Sequence, residues 1–469
     1  MLYLTVVFSV FTIAQNTTST LTGTTSDSDD ILPGAVIKLT EVESGITYSA
    51  ISNQKGQFRI TGLTPGGPYR LEVSYVGHKK SVIDIKRISL GEVYSCNVEL
   101  TTGNELQEVI VKGQAAALRK TGSSESISAE DIDNKATVDR TLQDILAMSP
   151  YYIGSGSFGG RDGGMNNYSI DGANFNANMG LDREKMPGAG TPFALEALED
   201  IQIVNSAFDV KNSNFMGATI NAVTKKGTNT FRGSAYHFYK DESLRGNRVD
   251  GEELTAPRGD IKRTIYGLTL GGPIIKDKLF FFVSAELENT PLQLHQWQAS
   301  KDGVEDGKNL ISRVTESDMK QFASDLQSMY GWNPGSYNDF TGDNKFFRLM
   351  TRIDWNISKY HKLTLRYNQT NGKKDNSYSS PGMGMNDGRV SIYSMVFDGS
   401  NWKKVDNVYS LTGELNSRFG NNITNTLRAS FTFNDANNRE CDAAFPCIEI
   451  MKPYDGDGKN HAYMSAGYD

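Results

Sequence analysis

NKFFRLMTRIDWNIS, residues 344–358, alternates strictly between two kinds of side chain. Phe347, Leu349, Thr351, Ile353, Trp355 and Ile357 fall on one face, and Arg348, Arg352, Asp354 and Asn356 on the other. Successive residues of a β-strand point to opposite sides, so one side of this strand is apolar and the other charged. KLTLRYNQ (362–369) repeats the pattern, with Leu363, Leu365 and Tyr367 against Lys362, Thr364, Arg366 and Asn368. NITNTLRASFTFND (422–435) sets Ile423, Leu427, Ala429, Phe431 and Phe433 against Thr424, Thr426, Arg428, Ser430, Thr432 and Asn434. A soluble β-sandwich would carry more apolar residues and fewer arginines on its inner faces. Strands of about ten residues with lipid on one side and a wet lumen on the other build a transmembrane β-barrel.

The connections agree. Ile274–Lys278, Ile357–Lys362 and Phe419–Asn422 are tight turns, while 240–262, 290–344, 373–403 and 436–469 are long and polar. Short turns on one side and long loops on the other are the outer-membrane pattern. Seven barrel strands are expected, near 231–239, 263–273, 278–288, 345–357, 361–369, 407–418 and 422–434. Plugged outer-membrane transporters close at about 22 strands, so the native gene product is expected to continue for several hundred residues.

Upstream the grammar changes. Residues 21–101 read as short, evenly spaced strands, among them AVIKLTEVESGITYSAISNQKGQFRITGL (35–63) with a turn at Asn53–Gly56, and YSCNVEL (94–100). Such spacing without helical period indicates a small immunoglobulin-like β-sandwich. A polar linker, 102–120, holds one β-prone run, Glu108–Val109–Ile110–Val111, which either ends the sandwich or adds to a partner's sheet edge. In 121–226, SAEDIDNKATVDRTLQDILAMSP (128–150) has Leu142, Ile145 and Leu146 on one helical face and stops at Pro150. ALEALEDIQIVNSAFDVKNSNFMGATINAVTKKGTN (194–229) gives a short helix, a strand, a loop and another strand. The overall class is mainly β: sandwich, α/β unit, then barrel strands over 227–469.

Several enzyme and binding classes are excluded. The glycine-rich stretch GSGSFGGRDGGMNNYSIDG (154–172) contains G-x-G-x-x-G, but no buried strand precedes it and no helical period follows, as a dinucleotide loop requires. Glycine there serves irregular backbone with positive φ. The five histidines, 78, 237, 295, 361 and 461, have no Glu three residues on and no H-E-x-x-H, so no catalytic zinc is expected. No cofactor, metal or catalytic residue is assigned. The balance of 48 basic against 55 acidic residues, net −7, argues against nucleic acid. Three cysteines make no disulfide framework; Cys441 and Cys447 could pair, and Cys96 reads as a buried small hydrophobe. The apolar start MLYLTVVFSVFTIAQ, within a signal-like segment 1–20, is either an export signal or a first strand. Arg258-Gly259-Asp260 lies in the first long loop, where a chance match is the simplest reading.

Three stretches resemble one family. RDGGMNNYSIDGAN (161–174) is similar to a plug motif ending in Asp-Gly, although Asp162 stands where that motif has Gly. ALEDIQIVNSAFDVKNSNFMGATINAVTKKGTNTFRGSAYHFYKD (197–241) is similar to the end of a plug and a first barrel strand. LTLGGPIIKDKLFFFVSAELEN (268–289) is similar to the next two strands and their turn. Residues 21–101 resemble a carboxypeptidase regulatory-like domain, through LPGAVIKL (32–39), NQKGQFRITGLTPGGPYRLEVSYVGH (53–78) and the closing strand YSCNVEL. Together they resemble TonB-dependent outer-membrane receptors of the Oar-like and, distantly, SusC-like kind found in Bacteroidota. The resemblance implies an outer-membrane location and a sandwich on the periplasmic side. It also implies energised uptake of a glycan, peptide or metal chelate through a plugged barrel. Glu108, Val109, Ile110 and Val111 would couple to TonB, driven by ExbB-ExbD. Arg161, Asn167, Asp171 and Gly172 would form a plug loop near the ligand, and a SusD-like lipoprotein is a conceivable partner. The alternative is a binding or adhesion protein anchored by the barrel without transport.

Overall fold

The computed structural model describes residues 16–103, 109–110, 116–117, 124–137, 139–154, 156–176, 191–205, 217–246, 248–253, 262–338, 341–376, 389–420, 423–441, 445–454 and 460–467. The apolar start, Glu108, Val111 and Arg258-Gly259-Asp260 lie outside the described residues.

The first unit is a two-sheet sandwich. In one sheet Ser19–Ser26 lies between Gln57–Leu63, antiparallel, and Val93–Ser95, parallel. In the other the order is Thr47–Ile51, Val36–Glu41, Tyr69–Ser74, Ser81–Ile85 and Val109–Ile110. Alternate residues of each strand face inward, so Leu21, Ile37, Leu39, Phe58, Ile60, Leu71 and Val73 form a dry core. Cys96 belongs to that core, and burial pushes its thiol up to about 11. The turn read at Asn53–Gly56 is present, with Asn53 N donating to Gln57 O at 2.8 Å.

The second unit is a five-stranded sheet ordered Ser124–Ser128, Leu198–Val204, Thr219–Thr224, Asn167–Ile170 and Ala173–Asn174. Its two short helices, Ala129–Asn134 and Leu142–Leu146, each start in a capping box, Ser128 with Asp131 and Thr141 with Asp144. A capping box satisfies two otherwise orphaned backbone donors. Leu142, Ile145 and Leu146 then bury against Ile201, Ile203 and Ile220.

The third unit is a seven-stranded antiparallel sheet in which sequence neighbours are spatial neighbours: Arg232–Lys240, Arg263–Ile275, Leu279–Asn289, Lys345–Asn356, His361–Asn376, Trp402–Phe419 and Ile423–Glu440. These are the strands that alternation predicts, several of them longer. About 9–11 residues span a bilayer; the 18-residue strand Trp402–Phe419 therefore extends beyond it. The apolar face points out, with Leu268, Leu365, Leu411 and Phe431 exposed, and the charged face points in and is buried. The resemblance leads one to expect a plug inside this polar face. The five-stranded unit fills the inner face, so it is a plug. Phe282, Met350 and Val408 of the wall join its core.

One correction concerns the long polar connections. They are not plain loops. The helix Glu316–Tyr330 and a three-stranded sheet, Met395–Val396, Asn460–Ala466 and Ile448–Pro453, share a core of Val314, Met319, Phe322, Leu326, Phe397 and Met464. Polar composition hides this, because the apolar residues are few and come from three connections far apart in sequence. Cys441 and Cys447 do not form a disulfide.

Candidate functional site

The place where something can move is the contact between plug and wall. Strand alternation aims Arg348, Arg352 and Arg366 inward, and they are 2 %, 4 % and 4 % exposed. Buried guanidinium groups need paired charges, and each has them. Arg352 Nε and Nη2 donate to Asp354, two residues along the same strand, at 2.7 and 3.1 Å. Its remaining Nη1 donates to the plug carbonyl Thr224 O at 2.8 Å. Arg348 Nη1 donates to Glu286 and Glu288 at 2.8 and 2.7 Å, and its Nε donates to Thr191 O at 2.6 Å. Arg366 sits 3.4 Å from the Asp171 carboxylate and 3.3 Å from Glu414. Arg428 donates from Nε to Glu414 at 3.0 Å. The inward arginines are thus committed to acids of the wall and to the plug. They are not a lining open to anionic solutes.

Asp171 sits at the centre of this grip. It adopts φ +50°, a left-handed conformation that Asp tolerates better than most residues. Its carboxylate accepts from Thr224 N at 3.1 Å and Thr224 Oγ1 at 2.8 Å. Thr224 closes the plug sheet, so one plug carboxylate joins the plug's last strand to a wall arginine. Gly172 follows at φ +80°, and a Cβ there would come within 2.6 Å of the Arg428 guanidinium. Glycine here allows both the turn and the close approach of Arg428.

The four plug-loop residues are not one surface. Asn167 is buried and accepts from Asn176 Nδ2 at 2.9 Å inside the plug. Asp171 and Gly172 face the wall. Arg161 is exposed, at a turn where its carbonyl accepts from Ser157 Oγ at 2.7 Å. Gly154, Gly156, Gly159 and Gly160 around it all have positive φ, the conformational use of glycine that the sequence indicated. Of the acids that hold the arginines, Asp354 was placed on the charged face from sequence, while Glu286, Glu288 and Glu414 were not singled out. Their signal was present: each is an acid on the inward register of a barrel strand.

The sandwich closes the site from the tight-turn side. Arg87 Nη2 donates to buried Asp200 of the plug at 2.8 Å, and Leu90 N donates to the same carboxylate at 3.1 Å. Glu41 pairs with Lys226, just past the plug's last strand, and Glu43 with Arg232 at 2.7 Å. Val109–Ile110 lies parallel to the outermost strand of the sandwich, Ser81 opposite Val109 and Val82 opposite Ile110.

With this geometry in view, the comparisons with known proteins are consistent. Residues 20–101 match the carboxypeptidase regulatory-like domain, and residues 223–296 match an outer membrane β-barrel domain. The TonB-dependent transporter Oar of Myxococcus xanthus is 24 % identical over 382 residues, covering 75 % of this chain. The chain spans about one third, 33 %, of that relative's length. Solved structures with likeness include the outer membrane transporter YddB of Escherichia coli (TM-score 0.48, 14 % identity, 73 % of this chain and 43 % of that one). The ferric enterobactin receptor of Pseudomonas aeruginosa is another (TM-score 0.41, 14 % identity, 67 % and 41 %). The chain is thus similar to a TonB-dependent transporter, and its outer-membrane β-barrel domain match supports a location in the outer membrane. The proteins it resembles are transporters and receptors rather than enzymes.

Proposed function

We propose that the protein takes up an extracellular ligand across the outer membrane, with TonB supplying the work. The observation that carries this is a plug held against the wall by breakable polar contacts, the Asp171–Arg366 ion pair and the Arg352 hydrogen bond to Thr224 O, beside a small apolar contact with Phe282, Met350 and Val408. Asp171–Arg366 and Thr224–Arg352 can be broken and remade as water enters, whereas a buried apolar interface would resist hydration. A barrel serving only as an anchor has no need of a detachable plug. In this reading residues 21–101 are a periplasmic sandwich, 102–120 the linker, 121–226 the plug and 227–469 barrel wall with its outer connections. ExbB-ExbD energises TonB, and a SusD-like lipoprotein is a partner to look for if the ligand is a glycan or peptide.

Glu108–Val111 is the coupling strand in this proposal. Val109–Ile110 extends the sandwich's own sheet, so in this reading the strand leaves that edge to add to the sheet of TonB. Val109→Pro removes a backbone donor and fixes φ. The intact variant, titrated with the soluble C-terminal domain of TonB, should bind at least about tenfold more weakly than the wild type. Equal affinity would refute the assignment.

A further inference from the structure

The sandwich does not seat flush on the barrel rim. Between them lies a cleft of about 700 Å³, bounded by the sandwich on one side and by the short-turn ends of the wall strands on the other. Its ionised lining is one-sided. Arg59 comes from the sandwich, Lys278 from the first turn, Lys359 from the second and Arg418 from the end of the strand Trp402–Phe419, against a single lining acid, Asp277, while Lys362 is held by buried Asp354 at 3.7 Å. Asp277 is already engaged by Asn229 Nδ2 at 2.7 Å. Besides Lys362, four cations from four separate segments thus converge in a protein whose net charge is −7. Clefts lined by one sign of charge focus the field and concentrate counter-ions. The rest of the lining is rich in hydroxyl groups, including Thr47, Ser49, Thr61 and Thr424.

The cleft also has a defined depth relative to the membrane. Ile357, Tyr360 and Phe419 stand exposed at the second and third turns, and Lys359 Nζ lies 4.9 Å from the Tyr360 ring centre. Exposed aromatic residues at barrel ends mark the interface between hydrocarbon and headgroups. The cations are therefore at headgroup level, beside the apolar side chains that mark the edge of the hydrocarbon.

We infer that this cleft binds the phosphate headgroup of an anionic phospholipid from the periplasmic leaflet, clamped between sandwich and barrel rim. The cations neutralise the phosphate, the threonine and serine hydroxyls hydrogen-bond its oxygens and glycerol, and the acyl chains run up the apolar outer wall past Ile357 and Phe419. Basic pockets at membrane faces hold lipid headgroups for this reason. A lipid bound there would tie the sandwich to the barrel independently of uptake.

The test uses the intact protein in nanodiscs of mixed zwitterionic lipid and phosphatidylglycerol, with retained lipid read by native mass spectrometry. Wild type should carry phosphatidylglycerol in excess over the nanodisc composition. Arg59→Gln with Lys278→Gln should reduce that enrichment about tenfold or more, at about fivefold for each basic residue removed. Both side chains are exposed, so an unchanged melting curve is expected and checks folding. Lys359→Gln with Arg418→Gln provides a second pair should the first misfold. Lys55→Gln with Lys80→Gln, elsewhere on the sandwich, should leave enrichment unchanged. Equal enrichment in wild type and both cleft variants overturns the site. Glycerol 3-phosphate or inorganic phosphate displacing the lipid at equal concentration would show a soluble-anion site and overturn the lipid assignment.

Discussion

Replacing Asp171 tests whether the plug is held to the wall as described. In Asp171→Asn the left-handed backbone is still tolerated and an oxygen remains to accept from Thr224. What is lost is the charge facing Arg366, 3.4 Å away, which then leans on Glu414 alone. Loss of one charged acceptor at a buried site is worth about 1–3 kcal/mol. Asp171→Ala loses both Thr224 hydrogen bonds as well and forces a Cβ-bearing residue without a local hydrogen bond to φ +50°. Left-handed backbone costs about 1–2 kcal/mol, and stripping a partner from a buried charge network about 3–5 kcal/mol. The alanine variant should therefore loosen the plug by about 4 kcal/mol or more, clearly more than the asparagine variant. Hydrogen exchange of the amides in Thr219–Thr224, measured on the intact protein in detergent, reads this directly. At about 1.4 kcal/mol per tenfold, exchange should quicken by about five- to a hundredfold in Asp171→Asn and by more than about a hundredfold in Asp171→Ala. Identical exchange in the two variants, or no change in either, would mean that Asp171 does not hold the plug.

Two further perturbations address the wall and the sandwich. Phe431 is 69 % exposed on the lipid face, so Phe431→Arg should cost about 2–4 kcal/mol of folding into lipid vesicles if it lies near mid-bilayer. Thr432, which faces inward and shares a hydrogen bond with Ser410 at 3.1 Å, should tolerate Arg far better, and equal effects would reverse the face assignment. In the sandwich, His78 Nε2 lies 2.9 Å from the Asp27 carboxylate. The Asp30 amide and His78 hold Asp27 down at about 2, from 3.8, and the Asp27 hydrogen bond raises His78 above 6.5. Asp27 thus stabilises above about pH 4 and loses this as pH falls toward 2. His78 stabilises below 6.5 and loses this as pH rises through its elevated value. The melting temperature of wild type should exceed that of His78→Gln between about pH 4 and 6.5, with the gap closing on both sides; a pH-independent gap would refute the pairing.

How much was legible depends on whether the signal is local. The barrel strands were, because a strand facing lipid on one side and polar groups on the other writes its period of two directly into residues such as Leu349, Arg352 and Ile353. The plug helix Leu142–Leu146 was legible from the shared face of Leu142, Ile145 and Leu146, whereas the separate helix Ala129–Asn134 and the capping boxes Ser128-x-x-Asp131 and Thr141-x-x-Asp144 were not read. The helix Glu316–Tyr330 could have been found, since Thr315 caps it, Met319, Phe322 and Leu326 keep its period, and Gly331 ends it. It was passed over because the segment as a whole is polar.

Other features had no local signal. The alternation shows that Arg348, Arg352 and Arg366 face inward, but it is the same whether the inside holds water or protein. Only the tertiary structure decides that Asp171 meets Arg366, that Thr224 meets Arg352, and that Asp200 of the plug receives Arg87 of the sandwich. These partners are separated by scores to hundreds of residues, and the low-dielectric contact that makes their pairing matter exists only once the units have docked. The same holds for the cationic cleft. Arg59, Lys278, Lys359 and Arg418 are unremarkable turn and strand residues along the chain, and they become one site because the sandwich is placed under the barrel's short turns. By itself, then, the sequence determined which residues form strands and which side of each strand is polar, because those follow from neighbours two to four positions away. What the polar side faces was decided by packing between units, which a one-dimensional period does not encode.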